Sequence, residues 1–406
     1  MVFLYIAHFT RYLFPLITIP YLCRVLGIEN YGILVFAQAY GSYMSTLIMF
    51  SFNLSATREV SRQRNSPINL SNILSGVISS QIILATIAIG ITAILLNLIP
   101  LFRDNQVLLW TVTFSGIING MNLLWYFRGM EKMKIVALLE IMGRVIATLS
   151  IFLIVHRPEH MWRIPLMNVV AGFLAMIFSL YIAYQNKQFV FSSISKIWEI
   201  FKTGWILFLA RLGSTMLSVS SIFVVGISQP PIIIGYFAGA IKISKAFHQL
   251  LIPAVRSLYP YITNKVSGKS KGSILLIRRV LIGMSILGGG LSLMLFCFSN
   301  ILVNIVLGKE FTLAIPLLKV LSLTPLLISI SFCFQQWMLS LKMDFSYSII
   351  TVMVGILSFI LAFLLIPYFG NMGAAWTIIL SRVIYIVVYL LILRQLKLDP
   401  FLSKLT

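Results

Sequence analysis

The chain has 406 residues, of which 59% are hydrophobic and only 10% are charged. Soluble domains carry about 25% charged residues, so this composition predicts a membrane protein. The polar gaps between its apolar runs are too short to hold a domain, which excludes a soluble catalytic domain, a nucleotide-binding domain and a large periplasmic module.

Apolar stretches of about 20 residues, the length that crosses a bilayer as a helix, follow one another along the chain. Twelve spans are predicted, at 1–23, 31–53, 73–99, 107–127, 135–155, 164–184, 205–228, 236–263, 280–307, 317–340, 345–366 and 374–393. The first has neither the basic leader nor the small-residue cleavage site of a secretory signal, so it is interpreted as a retained helix. The predicted fold class is all-α and integral to the membrane.

The distribution of basic residues predicts an orientation. Of the 31 Lys and Arg residues, 18 lie in the C-terminal tail and the loops after even-numbered spans, and 5 lie in the other loops. The positive-inside rule therefore places both termini in the cytoplasm. The net charge of +21 reflects this topology together with a group of cations inside the spans. These are Arg11, Arg144, Arg211, Lys242, Lys245, Arg256, Lys319 and Arg382.

A weak internal repeat relates the two halves of the chain. Residues 125–134 and residues 336–344 each lead into a long apolar run. Gly27 after span 1 corresponds in the same way to Gly226 after span 7. Each span thus matches the sixth span after it, with the same orientation, which predicts two six-helix lobes. Twelve helices without repeat symmetry are the alternative. The predicted lobes are 1–195 and 196–406.

The cations inside the spans carry the main functional signal. A basic residue at the centre of a membrane helix costs about 2.5–3.5 kcal/mol, so these residues should face an aqueous cavity, form pairs or reach an interface. Helical spacing puts the three cations of span 8 on one face. In span 7 an arginine begins a stripe of hydroxyl residues. The predicted substrate-binding cations are Arg11, Arg211, Lys242, Lys245 and Arg256.

Further polar residues inside the spans are candidates for lining the same cavity. They are Arg144, Arg382, Gln38, Asn119 and Asn122. Trp125 and Trp337 could add stacking surfaces, although packing or interfacial anchoring is the more common role of such residues. Glu140 is the one acid well inside a span and the candidate for ion coupling, but it lies one turn before Arg144, so the two could equally form a structural pair.

Many cations beside few acids predict an anionic substrate, and arginine suits phosphate because its planar guanidinium can bind two oxygens. Amides would serve hydroxyl groups, so a phosphorylated glycan fits better than a hydrophobic cation. No catalytic constellation or phosphate-binding glycine loop is found, and His156 with His160 is only a weak zinc candidate. The sequence therefore predicts a carrier that is not an enzyme and has no metal, cofactor or nucleic-acid partner.

Three segments carry a resemblance to a known family. They are Pro20–Gly27 with Tyr31-Gly32, Phe52–Leu54 with Arg58-Glu59, and Trp125–Lys134. Together they resemble the Wzx-type O-antigen and polysaccharide flippases of the multidrug/oligosaccharidyl-lipid/polysaccharide exporter superfamily. Arg128 departs from this pattern, because relatives often have glutamine there.

The resemblance implies twelve helices in two lobes around a central cationic cavity, in the bacterial inner membrane. It also implies that an undecaprenyl-diphosphate-linked O-antigen repeat unit passes from the cytoplasmic to the periplasmic leaflet by alternating access during lipopolysaccharide biosynthesis. An O-antigen polymerase and a chain-length regulator are candidate partners. A flippase for lipid II or another lipid-linked glycan is the nearest alternative. A multidrug antiporter should have intramembrane acids and an O-antigen polymerase a long periplasmic loop, so both are less favoured.

Overall fold

The computed structural model describes residues 2–185, 193–255, 271–341 and 343–395, except for the side chains of residues 2–16, 137, 140, 271 and 273. Within these ranges the chain is almost entirely helical and contains no strand. It forms two compact units, Met1–Thr215 and Met216–Thr406. The prediction of an all-α protein is therefore confirmed for the described part of the chain.

The first unit contains long helices joined by short turns. They are α1 (Val2–Met49), α2 (Ser55–Arg62), α3 (Pro67–Leu98), α4 (Pro100–Asp104), α5 (Gln106–Gly120), α6 (Leu124–Gly129), α7 (Met133–Ile154), α8 (Arg163–Tyr184) and the first part of α9 (Ile194–Ser228). Helix α3 begins at a cap, because the Ser66 hydroxyl accepts a hydrogen bond from Asn69 N and Pro67 follows at the first helical position. Helix α1 is interrupted at Gly27, whose φ of 71° favours glycine. The break falls in the predicted gap between spans 1 and 2.

The second unit contains the rest of α9 and the helices that follow it. These are α10 (Pro231–Gln249), α11 (Lys271–Cys297), α12 (Ser299–Leu302), α13 (Ala314–Leu321), α14 (Thr324–Ser340) and α15 (Asp344–Gln395). The π-helical turn Val303–Leu307 and the 3-10 turn Lys309–Phe311 link α12 to α13. At about 1.5 Å per residue, the 52 residues of α15 would be more than twice as long as a bilayer core of about 30 Å. Gly370, with φ 53°, interrupts α15 in the predicted gap between the last two spans.

Large apolar side chains cover the outward faces of these helices. Leu153 of α7 is 75% exposed and Tyr181 of α8 is 70% exposed. Nine helices of the described ranges are long and apolar enough to cross a membrane. Exposed apolar faces of this size are stable only against lipid or another apolar partner. The protein is thus a multi-pass membrane protein.

The compact units divide inside α9, at Thr215, whereas the repeat predicts a boundary at 195/196. The first part of α9 packs on the end of α1. The hydroxyl oxygens of Thr46 and Thr215 are 2.9 Å apart, and the rings of Phe50 and Phe208 stack with centroids 4.6 Å apart. These polar and aromatic contacts make the first part of α9 belong to the first unit.

The two segments on which the internal repeat rests have a common local structure. Trp125 and Trp337 are both fully buried. Each is followed by a turn in which a backbone N–H, that of Lys132 or of Met343, donates to the carbonyl five residues earlier. Both tryptophans therefore pack in the interior and offer no stacking surface to a ligand.

The two glycines of the predicted repeat, Gly27 and Gly226, do not have a common local structure. Gly27 has a positive φ and breaks α1, whereas Gly226 lies within the continuous helix α9. In the second unit the chain turns later, at Gln229 and Pro230. The paired glycines are therefore not equivalent in structure.

Candidate functional site

A cavity of about 610 Å³ lies within the first unit, between α1, α5, α8 and α9, and we call it the Arg211 cavity. Neither a carboxylate nor an aromatic ring is among the described residues that line it. Its wall instead offers guanidinium, amide and hydroxyl groups. The polar lining residues are Gln38, Ser42, Ser45, Asn53, Ser115, Asn119, Asn122, Arg128, Asn168 and Arg211.

Helical spacing brings several of these residues together. Gln38, Ser42 and Ser45 are four and three residues apart on α1, so they share one face of that helix. The Ser42 hydroxyl donates to Gln38 O at 2.9 Å, and on α5 Asn119 Nδ2 donates to Ser115 O at 2.8 Å. These bonds to the preceding turn hold the side chains against their own helices and leave room in the cavity.

Contacts on both sides of Arg211 fix the helix that carries it. At one end, a Cβ on Gly204 would overlap Ser51 Oγ, so a larger residue at this approach of α9 to the end of α1 would force neighbouring side chains to shift. At the other end, Thr215 Oγ1 donates to Arg211 O at 3.1 Å and contacts the Thr46 hydroxyl. Arg211 therefore has a defined position in the cavity wall.

A second cavity of about 340 Å³ in the same unit has part of its wall in common with the Arg211 cavity. Asn119, Asn122 and Asn168 line both. Arg144 lines the second cavity together with small residues of α7 and α8, including Gly143. Arg144 thus lies beside the polar cavity and not in its wall.

Three predicted cations of the second unit, Lys242, Lys245 and Arg382, lie on α10 and α15. Lys245 Nζ donates to the carbonyl of Ser218 at 3.1 Å. Lys242 and Arg382 are close enough to act electrostatically on Lys245, and both Lys245 and Arg382 act on His248. Positive charge is therefore locally concentrated in this unit.

Three tyrosines of the second unit form hydrogen bonds near Arg382. Tyr389 OH donates to Tyr385 OH at 2.9 Å, and Tyr385 OH lies 3.0 Å from Thr351 Oγ1. Gln335 Nε2 donates to Tyr347 OH at 2.9 Å. Arg382 lies within electrostatic range of all three tyrosines.

The structure brings part of the predicted site together. Four predicted residues line the same cavity: Arg211, Gln38, Asn119 and Asn122. Arg144 lines the adjoining cavity, and three predicted residues belong to the second unit: Lys242, Lys245 and Arg382. Three positions could not be placed, since Arg256 lies outside the described residues and so do the side chains of Arg11 and Glu140.

Several residues of the cavity wall were not predicted as site residues. Asn53 and Arg128 lie in segments that carried the family resemblance, and Arg128 was noted there only as a departure. Ser42 and Ser45 continue the stripe that begins at Gln38, so the helical period of α1 is a signal that could have found them. Asn168 stands alone in an apolar span and gives no such signal.

An ion pair and the weak zinc candidate lie apart from the cavities. Arg64 and Glu131 form an ion pair at 2.7 Å in the loops beside α2 and α6. The hydrogen bond and the charge of Arg64 lower the pKa of the Glu131 carboxyl. His160 Nδ1 accepts a hydrogen bond from His156 N at 3.4 Å, and no group of three or more His, Cys, Asp or Glu within the described ranges could hold a metal ion.

Membrane-spanning helices around a polar cavity are an arrangement that is typical of membrane transporters. The chain belongs to the polysaccharide biosynthesis protein family, whose model matches residues 1–265. A protein of Escherichia coli K12 named "Putative O-antigen transporter" is 29% identical over 403 residues, which cover 98% of this chain and 97% of that protein. A protein of the same name from Shigella dysenteriae is 27% identical, with 94% and 96% covered. The chain is therefore a multi-pass membrane protein of this family.

Solved structures with a similar fold include transporters of the MOP superfamily. An inward-facing multidrug resistance MATE transporter has a TM-score of 0.70 at 13% identity, with 96% of this chain and 99% of that chain covered. The lipid II flippase MurJ, in an inward closed conformation, has a TM-score of 0.60 at 13% identity, with 91% and 87% covered. At such identities the likeness shows the fold alone. With the family match, it confirms the resemblance found in the sequence.

Proposed function

We propose that this protein is a flippase that moves an undecaprenyl-diphosphate-linked O-antigen repeat unit from the cytoplasmic to the periplasmic leaflet. The observation that carries the proposal is the Arg211 cavity, which combines two arginines with amides and hydroxyls and has no carboxylate among its described lining residues. Guanidinium groups bind phosphate oxygens, and amides and hydroxyls bind sugar hydroxyls. The names of the two relatives from Escherichia coli and Shigella dysenteriae support the same substrate class.

We infer twelve crossings of the bacterial inner membrane, arranged as two six-helix lobes. Nine described helices are long and apolar enough to cross. Helices α1 and α15 would each cross twice, with their breaks at Gly27 and Gly370 between crossings, and α10 would add one more despite its two lysines. The excess of basic residues in alternate loops supports cytoplasmic termini.

The proposed mechanism is alternating access without an enzymatic step. The amides of the Arg211 cavity would hold the glycan, and Arg211 would hold phosphate oxygens while the lipid chain stays in the bilayer. Lys242 and Lys245 would add a second anion contact in the other unit, and Arg11 and Arg256 stay predicted contributors. Movement between two conformations then exposes the substrate to the opposite leaflet. Glu140 stays the predicted residue for ion coupling.

A multidrug antiporter is the main rival, since it has the same fold. A cationic substrate needs acidic partners in a membrane cavity, because a buried charge is costly unless it is paired. The described wall of the Arg211 cavity supplies cations instead. Lipid II and other lipid-linked glycans have the same diphosphate chemistry as an O-antigen unit, so the choice among them rests on the names of the relatives. An O-antigen polymerase and a chain-length regulator are proposed as partners that act on the translocated product.

The experiment that tests this function locates lipid-linked repeat units in oriented vesicles with a membrane-impermeant lectin or glycosidase. We expect the double variant Arg128→Ala/Arg211→Ala to leave these units on the cytoplasmic leaflet. The transport rate should fall by about 100-fold or more, because each charged hydrogen bond contributes about 1.5–3 kcal/mol. Arg62→Ala, which removes an exposed cation of α2, is the matched control and should transport normally.

Normal surface polysaccharide in the double variant, at wild-type protein level, would overturn the proposal. Repeat units that reach the periplasmic leaflet without being polymerised would instead favour the O-antigen polymerase.

A further inference from the structure

Two polar atoms in the wall of the Arg211 cavity have unmet hydrogen-bonding capacity. Arg211 Nε and Asn53 Oδ1 are both buried, and neither has a hydrogen-bond partner within the described part of the chain. A buried polar group without a partner costs about 1–3 kcal/mol, so such groups are rare in stable proteins and need an explanation. The two are complementary in kind, because Arg211 is a donor and Asn53 Oδ1 is an acceptor.

The chain holds these two residues on elements that pack directly against each other. Helix α1 ends at Met49, and the next residue, Phe50, has a φ of 46°, which is unusual for a bulky side chain. The Phe50 ring stacks on Phe208 at an interplanar angle of 17°. Asn53 follows Phe50 by three residues, and Arg211 follows Phe208 by three. Strain of this kind persists where the surroundings enforce it, and here it fixes the turn that carries Asn53 against the helix that carries Arg211.

We propose that Asn53 and Arg211 together bind the junction between the phosphate and the first sugar of the substrate, and that Asn53 determines specificity for that sugar. A glycosyl phosphate offers an anionic oxygen for Arg211 and, on the neighbouring carbon, an acetamido N–H or a hydroxyl that donates to Asn53 Oδ1. This inference rests on the proposed function, since it assigns the chemistry of the same cavity.

The test uses the purified full-length protein in nanodiscs and measures lipid binding by native mass spectrometry. The three probes are undecaprenyl diphosphate, the same lipid carrying N-acetylglucosamine, and the same lipid carrying 2-deoxyglucose, which has no donor at carbon 2. We expect the wild type to bind the N-acetylglucosamine lipid about tenfold more tightly than the 2-deoxyglucose lipid, the ratio that one hydrogen bond typically gives.

In Asn53→Leu, a substitution of similar size, we expect this preference to fall below about twofold, while binding of undecaprenyl diphosphate stays unchanged. Asn53→Asp retains an acceptor, so it should retain the preference but bind all three lipids more weakly, because its negative charge faces the phosphate. Asn97→Leu is the control, since Asn97 is exposed on α3 and bonds only to its own helix in the described structure. Arg211→Gln should weaken binding of all three lipids.

The outcomes separate this inference from the proposed function. If the wild type binds all three lipids equally, or if Asn53→Leu keeps the tenfold preference, the role of Asn53 is wrong and the flippase proposal stands. If the wild type binds none of the lipids, the proposed function itself fails. Free glucuronate also places a hydroxyl beside an anionic oxygen. Competition by glucuronate that Asn53→Leu abolishes, without any preference among the lipids, would assign the site to an acidic sugar and overturn the phosphate junction.

Discussion

The two compact units surround their cations with different groups. In the first unit, Arg128 and Arg211 line a cavity among amides and serines, where a ligand can reach them. In the second unit, Lys245 donates to a helix carbonyl, and Arg382 lies within electrostatic range of three tyrosines. An arginine in a cavity wall is available to a ligand, whereas a lysine that already donates to a carbonyl is held in a fixed position before any ligand arrives.

The second unit bears an electrostatic cost for this arrangement. Lys242, Lys245 and Arg382 have like charges within interaction range. Of the carboxylates in the described part of this unit, Glu310 and Asp344 are both exposed and so remain in contact with solvent or headgroups. Replacement of buried ionic groups by apolar ones is often neutral or stabilising. Cations that do not improve stability need another explanation, and the proposed function supplies one in a contact with an anionic substrate.

Arg382→Met has the largest expected effect and tests the comparison between the cations of the two units. We expect the unfolding temperature to stay the same or rise, because a like charge leaves the cluster while the long side chain is kept. We expect transport to fall at least about tenfold, because an anion contact is lost. Thermal unfolding of the purified protein and the oriented-vesicle assay measure the two effects.

The control is Arg279→Met, which removes an exposed cation of α11 in the same unit. It should change neither measurement. A large loss of stability in Arg382→Met with normal transport per folded molecule would mean that the second-unit cations are structural. The two units would then not have related roles.

The sequence predicted the helices better than the site. Hydropathy placed gaps around Gly27 and Gly370, because apolar runs longer than a bilayer must be interrupted. Helical periodicity found the cations of α10, since residues on one face of a helix recur at fixed spacing. It could not find Asn53, because a turn has no such period and its position depends on the stacking of Phe50. The burial of Trp125 agrees with the favoured packing interpretation and removes the stacking alternative, which the sequence could not exclude because burial depends on tertiary packing.

Gly204→Ala has a smaller expected effect and tests how the first unit positions Arg211. A Cβ in Gly204→Ala would overlap Ser51 Oγ and lie 2.9 Å from the Phe50 ring. We expect the free energy of unfolding to fall by about 1–3 kcal/mol, as in other overpacked sites, and lipid binding to weaken because Arg211 moves with α9. Chemical denaturation and native mass spectrometry measure these changes.

Gly90→Ala is the matched control, because a Cβ at Gly90 meets no atom within 4 Å. It should lose no stability. The double variant Gly204→Ala/Ser51→Ala removes one overlapping group and should recover part of the loss. Lipid binding by Gly204→Ala at the wild-type level would contradict the fixed position of Arg211. The wall of the Arg211 cavity would then be able to adapt to the substitution.

The smallest expected effect concerns Arg64, a cation that belongs neither to the Arg211 cavity nor to the cations of the second unit. Because Arg64 lowers the pKa of Glu131, their pair stabilises the folded protein above the unfolded carboxyl's pKa of about 4.5 and loses this contribution as the pH falls through the folded pKa. Exposed pairs contribute little, so we expect Glu131→Gln to transport normally at pH 7 and to differ from the wild type only in a shallower loss of stability below about pH 5. Thermal unfolding between pH 3 and 7, compared with Arg64→Gln and the double variant, measures this slope. A transport defect in Glu131→Gln as large as that of Arg382→Met would show that the Arg64–Glu131 pair takes part in the transport cycle, and the division of cations into two functional groups would need a third.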